Sequence, residues 1–174
     1  MNTKKLCLLS LLTAIALIIF IVELRIPNLV PIPGVKLGLA NIITVYAVYH
    51  LKASETAIIL FVRIFLGSVF GGNLSAIAFS LCGGLLCLAG MLLMRKVIDE
   101  NHIWVCSIIG AVLHNIGQTA AAVAVMRTTA VIAYLPFLLV SGCIAGLFTG
   151  LCAQVLVKSC LLYTSPSPRD RSLS

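Results

Sequence analysis

Charge is scarce in this chain. Only five of its 174 residues are acidic and twelve are basic, so charged residues make up 10% of the sequence against the roughly 25% of a soluble domain. Aromatic residues are few as well, at 7% with a single tryptophan. No aspartate-rich segment, P-loop, H-E-x-x-H or G-x-S-x-G string occurs, which argues against an ATPase, a metallohydrolase, a serine hydrolase or a prenyl-chain-elongating catalyst. The seven cysteines form no C-x-x-C pair and lie mostly within apolar stretches, so neither a disulfide framework nor a zinc site is expected. The basic residues never cluster with aromatics, and the net charge of +7 does not point to nucleic acid.

What the chain has instead is apolar length. Hydrophobic residues make up 61% of it and its mean hydropathy is +1.16. The apolar stretches approach the roughly 20 residues that cross a ~30 Å hydrocarbon core. An all-α integral membrane fold of about six spans is expected, as a single domain over residues 1–158. The spans run near Leu6–Val22, Val35–Leu51, Ser54–Phe70, Leu74–Met94, Ile103–Met126, and from beyond Thr129 to about Val157. Pro136 falls either in the first turn of the sixth span or in a re-entrant piece before it. The first run follows Lys4 and Lys5 as a signal peptide would, but no small-residue cleavage site follows; a proline-punctuated loop carrying Pro27, Pro31 and Pro33 comes next. Residues 159–174, with the string TSPSPRDRSLS, break from this composition and read as a non-native or disordered tail resembling translated adapter sequence.

With the N-terminus inside, the inner side holds Lys4, Lys5, Lys52, Arg95, Lys96 and Lys158, and the outer side Arg25, Lys36 and Arg127. Lysine and arginine favour cytoplasmic loops, so an N-in, C-in orientation is expected.

Polar groups at membrane depth are the candidate functional residues. Arg63 sits about eight residues, or ~12 Å, from either end of the third span. An arginine there costs roughly 2.5–3.5 kcal/mol on insertion scales and faces a bundle interior or a wet cavity with an anionic or carbonyl partner. That partner is Glu23 or backbone carbonyls, in a structural pairing, or else a substrate. The string GAVLHNIGQT places His114 and Gln118 four residues apart, on one helix face with Gly110, and Asn115 beside them. These three groups either bond neighbouring helices, at about 0.6 kcal/mol per contact, or line a substrate site. Asn41 in KLGLANI and Asn73 in FGGN, near the outer ends of the second and third spans, read as helix caps or turns, or with Arg25, Lys36 and Arg63 as parts of an anion-biased site. Small residues at four-residue spacing, Ser10 and Ala14, Ser80 and Gly84, and Gly142, Gly146 and Gly150, predict close helix packing. A membrane enzyme relying on His114 would lack an accompanying carboxylate pair or nucleophile.

Several strings occur together and in order: PIPGVKLGLANI after a proline-rich loop, VRIFLGSVFGGN, FSLCGGLL and AVLHNIGQT. In these, over roughly residues 5–157, the chain resembles the Gx transporters, a family also labelled heptaprenyl diphosphate synthase component I. That family is similar to the substrate-binding components of energy-coupling factor transporters. The resemblance implies a non-enzymatic bacterial cell-membrane subunit without a cofactor. It would capture a small anionic or amphiphilic substrate, such as an isoprenoid precursor, from outside. Its implied partners are a transmembrane coupling subunit and two ATPases. Ser10 and Ala14 occupy the place of the family's helix-one docking pair, with serine replacing one alanine. The label itself implies an alternative, a non-catalytic membrane partner or regulator of a polyprenyl diphosphate synthase.

Overall fold

The computed structural model describes residues 2–25, 38–74 and 76–164, with side chains as far as residue 159. Six helices follow one another: α1 Thr3–Arg25, α2 Asn41–His50, α3 Ala53–Phe70, α4 Ala76–Met94, α5 Ile103–Met126 and α6 Leu135–Thr164. Single 3₁₀ segments, Glu100–His102 and Thr129–Tyr134, lead into α5 and α6. There is no strand among the described residues. The protein is an all-α membrane bundle.

Five of the six helices are long and apolar enough to cross a bilayer. The exception corrects the sequence reading. Instead of a span over Val35–Leu51, α2 has 10 residues, about 15 Å of helix, or half the hydrocarbon thickness. Its start is fixed by Gly38, whose φ of +69° only glycine adopts freely. The turn it makes closes with Asn41 N donating to Gly38 O (2.8 Å) and Ile42 N to Leu39 O (3.1 Å). Its far end is held by Arg95, whose Nη1 donates to the carbonyls of Val48 and Leu51, groups that a helix C-terminus otherwise leaves unpaired. A half-length helix survives in an apolar medium because others surround it: α2 touches α1, α3, α4 and α6, and five of its ten residues are buried. One flank, Ile43 and Ala47, packs on Leu9, Leu12 and Ala16 of α1. The other, Val45 and Val48, joins Leu60, Ile64, Cys87 and Met91.

Lys5 Nζ meets Glu55 Oε1 at 2.7 Å, so α1 and α3 start on the same side. Gln154 Nε2 donates to Asn101 O, which brings the late part of α6 to the start of α5. With Arg95 beside the end of α2, this side collects Lys4, Lys5, Lys52, Arg95, Lys96 and Lys158, and it is the side that the positive-inside rule assigns to the cytoplasm. The outward faces are apolar: Phe65, Phe70, Ile144 and Val155 are all more than half exposed, a surface that lipid covers and water would not tolerate.

Backbone proximity at α5 is set by small residues, as the four-residue spacings predict. Gly142, Gly146 and Gly150 of α6 face Asn115, Ile108 and Trp104 of α5. Gly84 of α4 meets Leu60 and Ile64 of α3, and Gly117 of α5 lies against the backbone of Cys82 and Gly83. Pro136 is the second residue of α6, in the first turn, where its missing amide leaves no bond unmade. That helix extends to Thr164, past the expected end near Val157 and into the segment read as a tail.

Candidate functional site

Arg63 is buried, 8% exposed, ten residues into α3 and hence about 15 Å from its cytoplasmic start. The first residue of α2 lies at the same depth, because α2 runs from Asn41 down to the cytoplasmic side in only ten residues. The two meet: Arg63 Nη1 donates to Asn41 Oδ1 at 3.3 Å. An arginine in mid-membrane thus adjoins the N-terminal, positive end of a half-helix. Both features favour an anion there.

Glu23, near the end of α1, is also buried, 8% exposed. It does not pair directly with Arg63, as the structural reading of the sequence had it. Its Oε1 accepts from the Gly38 amide, holding the turn that starts α2. That turn is the one that carries Asn41 to the guanidinium. Among the described residues the one ion pair is the cytoplasmic Lys5–Glu55 contact.

One residue that the sequence reading passed over belongs here. Thr44 is 2% exposed and its hydroxyl has no hydrogen-bond partner. Three residues after Asn41, it shares a flank of α2 with it. That spacing was the available signal, hidden by the apolar run around it.

The other candidates disperse. His114 and Gln118 lie against Gly83 of α4: a Cβ built on Gly83 would come within 2.7 Å of Gln118 Cγ and 2.8 Å of the His114 carbonyl oxygen. Asn115, rotated from them by about 100° on the same helix, faces α6 instead, where its Nδ2 donates to Leu138 O and abuts Gly142. The polar patch of α5 is therefore divided between two helix seams, α4–α5 and α5–α6. A further seam bond joins Ser107 and Thr149 at 3.1 Å. Asn73 is exposed and accepts from Ala76 N at 3.2 Å, shaping the turn into α4. Arg25 is exposed at the end of α1, and Lys36 lies outside the described residues. Ser10 and Ala14 are exposed together on the outer face of α1.

Two depressions lie apart from Arg63. An apolar groove of about 550 Å³ between α4 and α5 is lined by Cys82, Leu86, Ala89, Gly117 and Ala121 among others. A polar one of about 330 Å³ at the cytoplasmic end is lined by Tyr49, Arg95, Lys96, Ile98, Asp99 and Glu100.

No curated protein matches the chain, and no solved structure does. A family model described as heptaprenyl diphosphate synthase component I matches residues 12–156. That span runs from the first turns of α1 almost to the end of the described side chains, taking in Arg63, Asn41, Thr44 and all the seam glycines. The chain accordingly belongs to the heptaprenyl diphosphate synthase component I family.

Proposed function

We propose that this protein is the membrane substrate-binding component of an energy-coupling factor type transporter in a bacterial cell membrane. It captures a small anionic or amphiphilic molecule from outside for uptake driven by partner ATPases. The observation that carries this reading is Arg63, buried in mid-membrane against the start of the half-length α2. Maintaining a cation at that depth is costly, and an intramembrane ionisable residue is a functional site by default. Broken or half-length helices whose N-termini aim at an anionic substrate group recur in transporters for the same reason. Arg25, exposed at the outer end of α1, would attract an anion toward the site. Catalysis is no part of the proposal: energy from nucleotide hydrolysis would enter through a coupling subunit, for which the exposed Ser10 and Ala14 offer a close-packing strip on α1.

The family description favours a second reading, a non-catalytic membrane partner of a polyprenyl diphosphate synthase. On that reading the working surface is the cytoplasmic depression bounded by Tyr49 and Arg95 to Glu100. Affinity purification of the tagged chain from its native membrane separates the two. Recovery of a transmembrane coupling subunit with two ATPases is the expected result, and recovery of a soluble synthase alone would replace the first reading with the second.

A further inference from the structure

We infer that the Arg63 cluster is built for a singly charged oxyanion, a carboxylate, and not for a diphosphate. The inference rests on the substrate-capture reading and specifies its ligand. The guanidinium carries five N–H donors in a planar fork. Among the described residues its one hydrogen bond is to Asn41 Oδ1, which leaves most of the fork for a ligand. One turn along the same flank of α2, the Thr44 hydroxyl is buried without a partner. It stands between Asn41, at the guanidinium, and Val48, which packs with Leu60, Ile64 and Cys87, the residues around Arg63 on α3 and α4. A buried hydroxyl left unsatisfied is unfavourable, and a ligand oxygen that accepts from it removes the penalty.

Charge then selects the ligand class. Arg63 contributes one positive charge, and Glu23, whose Oε1 accepts from the Gly38 amide at the turn that starts α2, one negative. The start of α2 adds roughly +0.5. A carboxylate brings this buried group to about −0.5 overall, whereas a phosphate monoester of about −1.5 to −2 leaves a deficit of at least about one charge, and a diphosphate a larger one. Uncompensated charge is tolerated poorly where the dielectric is low. A carboxylate also fits the fork in the two-pronged geometry that arginine favours. Among the described residues the other outer cation near this end of α1, Arg25, is exposed and cannot supply the missing buried charge.

The full chain in lipid nanodiscs is titrated with geranate, octanoate and benzoate, and with geranyl phosphate and geranyl diphosphate. An Arg63→Gln chain subtracts partitioning into the bilayer, and Arg63→Lys and Thr44→Val chains provide folded alternatives. The expected result is saturable binding of at least one carboxylate, at least about tenfold tighter than any of the phosphates. It is weakened about tenfold in Arg63→Lys and in Thr44→Val, the worth of a charge-assisted hydrogen bond. Thr44→Val also raises the melting temperature of the unliganded chain, because the unpartnered hydroxyl is gone. Tighter, Arg63-dependent binding of the diphosphate would overturn the inference and leave the capture reading standing. So would no saturable binding of any of the three carboxylates, since recovery of ATPase partners decides the capture reading independently.

Discussion

Replacing Gly117 by alanine tests whether the α4–α5 seam is a backbone-to-backbone contact. A Cβ at residue 117 would lie 2.7 Å from Cys82 O, 2.9 Å from Gly83 Cα and 3.0 Å from Cys82 C, all of them main-chain atoms of α4. No rotamer change relieves such a contact, so the two helices must separate, and His114 and Gln118 lose their fit against Gly83 in the same movement. Alanine gains about 1 kcal/mol over glycine in helix propensity, while overpacking costs about 1–3 kcal/mol, with a backbone obstacle toward the upper end. The net loss is then about 1–2 kcal/mol, or roughly 2–8 °C in melting temperature for a chain of this size. Gly90→Ala is the control. Its nearest obstacle is Leu113 Cδ1, the end of a flexible side chain, so propensity offsets the repacking and stability changes by less than about 0.5 kcal/mol. Thermal unfolding of both variants in the same detergent measures the difference. If Gly117→Ala melts at or above the parent, or Gly90→Ala loses more than Gly117→Ala, the seam is not the rigid contact described.

Arg95→Met uncovers the carbonyls of Val48 and Leu51 at the end of α2, and a loss of about 2–3 kcal/mol is expected in thermal unfolding, since charge-assisted bonds are broken; an unchanged melting temperature would show that α2 is held by packing alone. Asn115→Ala removes the bond to Leu138 O between α5 and α6 and should cost about 0.6–1.7 kcal/mol, with no effect on ligand binding, because its amide is engaged on the α5–α6 seam; lost ligand binding at unchanged stability would return Asn115 to the site. In a cysteine-free background, single cysteines at Lys96 and Arg127 should react with a membrane-impermeant thiol reagent from opposite sides, and labelling from one side would overturn the topology.

Much of the fold was legible because membrane spans announce themselves by composition. The expected fifth span, Ile103–Met126, is α5 to the residue, and Gly84 of α4 and the glycine stripe of α6 do face α3 and α5. The short α2 was not legible. Residues 35–51 form one nearly continuous apolar run, and only Gly38 marks where the helix begins, through a backbone angle that sequence does not display. Arg63 was recognisable from its depth, since lone charges in apolar helices are rare. Its neighbours were harder to foresee. Asn41 reaches it because α2 begins in mid-membrane, and Thr44 resembles any packing residue until its hydroxyl proves to be unpartnered. The α5 string put His114, Asn115 and Gln118 together in one patch, yet neighbouring positions point about 100° apart, and which helix each one meets depends on packing.

The central claim is that Arg63 forms the substrate site, and ligand-induced stabilisation tests it most directly. The purified chain and its Arg63→Ala variant are melted against a panel of vitamins, carboxylic acids and phosphorylated isoprenoids. At least one compound is expected to raise the melting temperature of the parent, and the shift to disappear in the variant. Shifts of equal size in both chains would contradict it.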